Sequence, residues 1–179
     1  MTAALLENRL VVWNTSDSRK LFSSGFFGKP IGIAKPKQDE FDVPIILDLL
    51  EGYYLSSKKE IQVLKEGRRI SQTALFEICK KEYAQFAEKL LIYVKLREAG
   101  FVVTPGIKFG ADFAAYERGP GLDHAPYLVR VAGASTKISS TDIVLAGRLA
   151  TTVRKQFIIA IPNLESQIAT FLGFDWWRA

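Results

Sequence analysis

Phe113-Ala114-Ala115-Tyr116-Glu117-Arg118-Gly119-Pro120-Gly121-Leu122-Asp123-His124-Ala125-Pro126-Tyr127-Leu128-Val129-Arg130-Val131 reads as a strand, a glycine-rich turn and a second strand. Phe113 to Tyr116 and Tyr127 to Val131 are short apolar runs, and Gly119-Pro120-Gly121 breaks both helical and extended periodicity between them. Tyr116 therefore ends one strand, and His124 stands just before the next. A rigid sheet can bring such residues together in space although they are separated in sequence.

Working outward, Phe86, Leu90, Tyr93 and Val94 recur at i, i+4, i+7 and i+8 and predict a helix upstream, with Gly100 as its C-terminal glycine. Phe101 to Thr104 is a further strand. Downstream, Ser139-Ser140-Thr141-Asp142 has capping-box spacing and opens a helix expected to end near Lys155. Phe157 to Ile161 reads as a buried strand, and a last strand is expected to include Phe171 to Trp177. Helix, strands, helix, strands make a compact α/β unit with a central mixed sheet, assigned to residues 83–179.

Residues 1–82 form a second, smaller α/β unit. Leu5 to Trp13 reads as one strand, and residues 25–37, rich in glycine, proline and lysine, as a long loop. Asp42 is expected to cap a helix running to about Ser56, because Ile45, Ile46, Leu49, Leu50 and Tyr53 fit helical spacing. Ile61 to Leu64 is a strand, and Ser71 caps a helix through Lys81. The fold class is therefore α/β in the broad, α+β sense, with two domains and no internal repeat.

Composition narrows the chemistry. The 179 residues are 48% apolar, enough for a core, yet no run of about eighteen apolar residues could span a membrane. Met1 to Trp13 carries Glu7 and Arg9 and does not read as a signal peptide. The single cysteine, Cys79, cannot form an internal disulfide, which points to the cytoplasm. With His124 as the single histidine, no zinc site of Cys and His ligands fits within one chain, and no metal or other cofactor is expected. A net charge of +5 favours a polyanionic partner, since neutralising phosphates releases counterions.

Cleavage of a phosphodiester by its own 2′-hydroxyl needs a base, an acid and a cation for the charged phosphorane. A Tyr, a His and a Lys suit those needs without a metal. A reference pKa of about 6.5 fits histidine to proton transfer. Tyrosine, at about 10, needs a neighbouring cation such as Lys155 to act as a base. Spacing alone leaves other readings open. A strand-edge Tyr can simply pack, a lone His can simply be exposed, and a Lys beside a helix C-terminus is favoured by the helix dipole in any case.

The run from Leu91 to Ile161 resembles the catalytic domain of archaeal tRNA-splicing endonucleases. The residues that carry the likeness are Gly106-Ile107-Lys108-Phe109-Gly110-Ala111-Asp112-Phe113, then Tyr116 with Gly119, His124-Ala125-Pro126-Tyr127-Leu128-Val129, and Val153-Arg154-Lys155. The resemblance implies a nuclease domain in which Tyr116 is the general base, His124 the general acid and Lys155 the stabiliser of the pentavalent phosphate. It implies precursor tRNA with a bulge–helix–bulge as substrate, no divalent metal, and 2′,3′-cyclic phosphate and 5′-hydroxyl products. The turn from Tyr116 to His124 is shorter than in some members.

Arg148 precedes Lys155 by seven residues, which on one helix face is about 10 Å. By resemblance it is one half of a guanidinium clamp that stacks on an extruded base. Trp177 and Arg178 are candidates for the other half. Residues 25–37 resemble an insertion of the crenarchaeal branch, where Lys29, Lys35 and Lys37 suit contact with RNA phosphates; a solvated loop, or a surface that packs on another subunit, is the alternative. Members of that branch combine two catalytic and two structural subunits in an α2β2 heterotetramer. Self-assembling relatives carry an acidic loop where this chain has Pro162-Asn163-Leu164-Glu165-Ser166-Gln167, with a single acid. The aromatic ending Phe171 to Trp177 suits an interface. The alternatives are a non-catalytic structural subunit, an RNA- or DNA-binding module, and a metal-dependent nuclease. For the last, Asp112 finds no following Glu-x-Lys.

Overall fold

The computed structural model describes residues 1–34, 36, 40–133, 136–152 and 155–174. The chain divides into two units, Met1–Phe86 and Ala87–Ala179. Each mixes helices with one mixed sheet, so the class is α+β.

The first unit carries β1 (Thr2–Leu6), β2 (Arg9–Val12), α1 (Thr15–Gly25), β3 (Lys29–Pro30), β4 (Ile45–Leu47), α2 (Leu49–Ser57), β5 (Gln62–Lys65), β6 (Arg68–Arg69) and α3 (Gln72–Glu82). The sheet order is β3-β4-β2-β1-β5-β6, with β1 and β5 parallel and every other neighbour antiparallel. Three expectations need correction here. The strand expected over Leu5 to Trp13 is a hairpin that turns at Glu7, whose φ is 50°. The helix expected from Asp42 begins only at Leu49. Ile45 and Leu47 are fully buried while Ile46 is half-buried, so a period of two prevails over the helical spacing that the same residues allow. Asp48, not Asp42, is the cap: it accepts from Glu51 N, and the Glu51 carboxylate accepts from Asp48 N. Within the loop expected over 25–37, Lys29 and Pro30 pair with Ile46 and Ile45. The helix α1 had no apolar stripe to announce it. Asn14 caps it, and the buried Ser18 hydroxyl donates to the carbonyls of Val12 and Asn14.

The second unit holds α4 (Phe86–Glu98), β7 (Val102–Pro105), a short 3₁₀ turn (Ile107–Phe109), β8 (Phe113–Tyr116), β9 (Tyr127–Val131), α5 (Ser140–Thr152), β10 (Gln156–Asn163) and β11 (Ile168–Phe174). The sheet order is β11-β10-β9-β8-β7, with β9 and β10 parallel and the rest antiparallel. Its register sets Thr104, Ala114, Leu128, Phe157 and Phe174 in one row across all five strands. That face is closed by α5, with Ile138 and Ile143 packed on the core of Ala114, Leu128, Phe157 and Ile159. The alternate residues face α4, where the Tyr93 and Phe113 rings lie 5.9 Å apart. Ser139 and Asp142 form the expected capping box at the start of α5. That helix ends at Thr152, short of Lys155, and β11, from Ile168 to Phe174, contains Phe171 to Phe174 of the expected last strand. Among the described residues no helix is long and apolar enough to cross a membrane.

Candidate active site

The strand directions decide what meets at the end of this sheet. β8 runs antiparallel to β9, and β9 runs parallel to β10, so the end of β8 and the starts of β9 and β10 coincide. Ala115, Tyr127 and Gln156 make the last paired row there. One residue further out stand Tyr116, the last residue of β8, and Pro126 and Lys155, just before β9 and β10. Neighbouring strands are about 4.8 Å apart, so the Tyr116 and Lys155 backbones are separated by about 10 Å. Both share side-chain parity with the Ala114–Leu128–Phe157 row and project on the α5 face.

Tyr116 is half-buried, pairs with Val102 of β7, and packs against the cluster that contains Ala114, Ala125 and Leu128. Lys155 is half-buried as well. Its ammonium donates to the carbonyl of Ala125 at 2.5 Å and stands 5.3 Å from the centroid of the Phe109 ring. Phe109 packs on the same cluster as Tyr116. The structure therefore brings Lys155 to the residue immediately after His124, and brings both Tyr116 and Lys155 to one patch of core. A backbone bond from Gln156 N to Pro126 O, at 2.8 Å, fixes the two chain segments together. It also explains why α5 cannot extend to Lys155: the chain must already be entering β10. Arg148 is exposed on α5, whereas Lys155 lies off the helix, so a shared helix face does not relate these two residues.

His124 is exposed, but its neighbours are not free. Ala125 is 2% exposed and belongs to the core cluster. On the other side the Asp123 carboxylate spans the turn. Oδ2 accepts from Arg118 N at 2.9 Å, and Oδ1 accepts from Gly119 N at 3.0 Å. Partial burial pushes this carboxyl up, but the backbone N–H groups of Arg118, Gly119 and Glu117 outweigh it. With the nearby Arg118 charge, they hold it below the usual carboxylate range.

The segment before β8 explains its own sequence. Gly106 N donates to Asp112 O, closing a tight loop over Ile107–Phe109, and a Cβ on Gly106 would lie 2.7 Å from the Phe113 carbonyl carbon. Asp112 accepts from Val131 N at 2.7 Å and pairs with Lys89 at 2.9 Å. Its role is therefore to pin this loop to β9 and α4. The loop in turn carries Phe109 under Lys155. Sequence reasoning gave no role to Phe109, to the Ala125 carbonyl or to Asp123. The signal for Asp123 was an acid five residues after Arg118, across two glycines.

Lys29 is exposed at the start of β3. Lys35, Lys37, Trp177 and Arg178 lie outside the described residues. Among those described, no three His, Cys, Asp or Glu side chains gather to ligate a metal.

Comparison with known proteins gives a consistent picture. The family model for the catalytic C-terminal domain of tRNA intron endonuclease matches residues 86–170, and that for its N-terminal domain matches residues 1–76. The chain is 38% identical to a tRNA-splicing endonuclease of Sulfurisphaera tokodaii, with 98% of each chain covered. It is 41% identical to one of Hyperthermus butylicus over 97% of each chain, and 36% identical to one of Sulfolobus acidocaldarius over 96% of each.

Proposed function

The chain belongs to the tRNA intron endonuclease family, and we propose that it cuts precursor tRNA at bulge–helix–bulge splice sites by metal-independent acid–base catalysis. The products are a 2′,3′-cyclic phosphate and a 5′-hydroxyl. The observation that carries this is the convergence at one sheet end: Tyr116 closing β8, His124 before β9, and Lys155 before β10 with its ammonium on Ala125.

Tyr116 removes the proton from the 2′-hydroxyl at the splice site, and that oxygen attacks the adjacent phosphorus. As the five-coordinate phosphorane forms, Lys155 offsets its added negative charge from a half-buried position, where a fixed cation acts more strongly than in water. His124 gives its proton to the departing 5′-oxygen as the P–O bond breaks. One bond forms, one breaks, and the proton count closes without a co-reactant. His124 needs exposure to reach its leaving group on a large RNA, and it has it.

Arg148, exposed on α5, stacks on an unpaired base of the bulge. Lys29, with Lys35 and Lys37, contacts phosphates. The assembly is an α2β2 heterotetramer with a structural subunit, working in the cytoplasm. The direct test is cleavage of a bulge–helix–bulge RNA by the assembled enzyme in excess chelator, with the ends analysed. We expect cutting with cyclic phosphate ends. Loss of cutting in chelator with recovery on adding magnesium would overturn the mechanism.

A further inference from the structure

The residue before His124 is not a spacer. We propose that Asp123 is a positioning residue for the general acid, clamping the turn Glu117–Asp123 so that His124 is delivered at a fixed point beside the scissile bond. This rests on the assignment of His124 as that acid.

The turn leaves β8 at Tyr116 and must return to β9 within ten residues, through two glycines in the left-handed region, Gly119 at φ 135° and Gly121 at φ 88°. Glycine gives the chain this path but also leaves it the most backbone freedom. The turn has little apolar anchorage, and Leu122 is 49% exposed. What closes it is polar. Both oxygens of Asp123 take successive backbone N–H groups, from Arg118 and Gly119, while Leu122 N and Asp123 N both donate to the Gly119 carbonyl. Pro120 and Asp123 also form a bridge across the loop. His124 then sits between two fixed points: Asp123 held to the turn, and Ala125 held in the core with its carbonyl on Lys155. Its side chain is exposed while the backbone on either side is tied. An acid that must meet a leaving oxygen needs this, because a displacement of about 1 Å can cost on the order of 10²-fold in rate.

The clamp and the acid can be separated by the leaving group. A bulge–helix–bulge RNA with sulfur in place of the 5′-bridging oxygen leaves as a thiolate and needs no protonation. The assembled enzyme, with Asp123→Ala, Asp123→Asn and His124→Ala variants, is measured in single turnover on the oxygen and sulfur substrates. Asp123→Ala is expected to slow the oxygen substrate roughly 10–100-fold and to cut the sulfur substrate within about 3-fold of the unaltered enzyme. Asp123→Asn keeps one acceptor oxygen and should fall between. Unchanged unfolding temperature in the variants separates this from general loss of fold. If Asp123→Ala slows both substrates equally, the positioning role is wrong while the acid role of His124 stands. If His124→Ala is itself not relieved by sulfur, the acid assignment fails and takes this inference with it.

Discussion

The ammonium of Lys155 is bonded to the carbonyl of Ala125, the residue that follows His124. Two residues proposed for different steps, charge stabilisation and proton delivery, are therefore mechanically joined. The same ammonium also stands over the Phe109 ring, 5.3 Å from its centroid. A cation over a ring is stabilised by about 0.5–2 kcal/mol depending on desolvation. Phe109→Leu should therefore slow single-turnover cleavage by roughly 2- to 30-fold. The same change made on top of Lys155→Ala should cost almost nothing, because the two act through one group. Additive losses would mean that Phe109 serves only the core.

Asp112 joins three elements with one carboxylate: Val131 N of β9, Lys89 of α4, and its own place before β8. Lys89 and Asp112 side chains are 16% and 21% exposed, so removing one charge strands the other in a poorly hydrated place. Asp112→Asn should cost about 2 kcal/mol of stability in urea unfolding, and Gly106→Ala should cost at least as much by forcing a Cβ into Phe113. Both variants should also lose activity before they unfold, since Phe109 rides on this loop. A variant with full stability and full activity would count against the loop as support for the site.

Much of this was legible in sequence, and the gaps have physical causes. The β8 and β9 boundaries were read correctly because a glycine-rich turn separates two clean apolar runs. Ser139 and Asp142 announced α5 through their capping box. The region around Ile45 was misread because Ile45 and Ile46, which lie in β4, also fit helical spacing with Leu49, Leu50 and Tyr53. There Glu51, the partner that makes Asp48 the cap, decides the outcome. The proposed site residues were chosen by motif, but the bonds around them could not be. Carbonyl acceptors such as Ala125 O have no sequence signature, and a turn clamp such as Asp123 looks like any loop aspartate.

Cys79 gives a pH test of the first unit. Its thiol is fully buried, and burial, followed by the negative charge of Asp48, pushes its pKa from the ordinary value of 9.0 up to about 12. Because the folded value is the higher one, this group's stabilising effect is complete below pH 9. It is lost progressively as pH rises from 9 towards 12, where the unfolded chain ionises first. At pH 8 the folded thiol is far less ionised than the unfolded one. Thiol labelling should therefore be very slow in buffer and fast in guanidinium, with the unfolding midpoint falling above pH 9. Rapid labelling of the native protein would contradict the burial.

β11 is the edge of the five-stranded sheet, and it leaves Ile168 60%, Phe171 40% and Leu172 43% exposed. An edge strand with this much apolar surface invites pairing with another chain. The turn before it is closed locally: Asn163 accepts from Glu165 N and Ser166 N, which leaves Glu165 as its one acid, exposed to solvent. A turn with one negative charge gives a basic surface on another chain little to hold, because steering and register across an interface depend on complementary charge. Two cuts on one RNA also require two catalytic sites held at a fixed spacing, which a closed symmetric assembly provides. The purified chain alone should therefore be weakly active or inactive, and should gain activity and mass together when a structural subunit is added. Light scattering and cleavage, measured on the same samples before and after mixing, decide the point. A homotetramer that cuts both bulges at full rate without a partner would end the heterotetramer proposal, and the assignments of Tyr116, His124 and Lys155 would be unaffected.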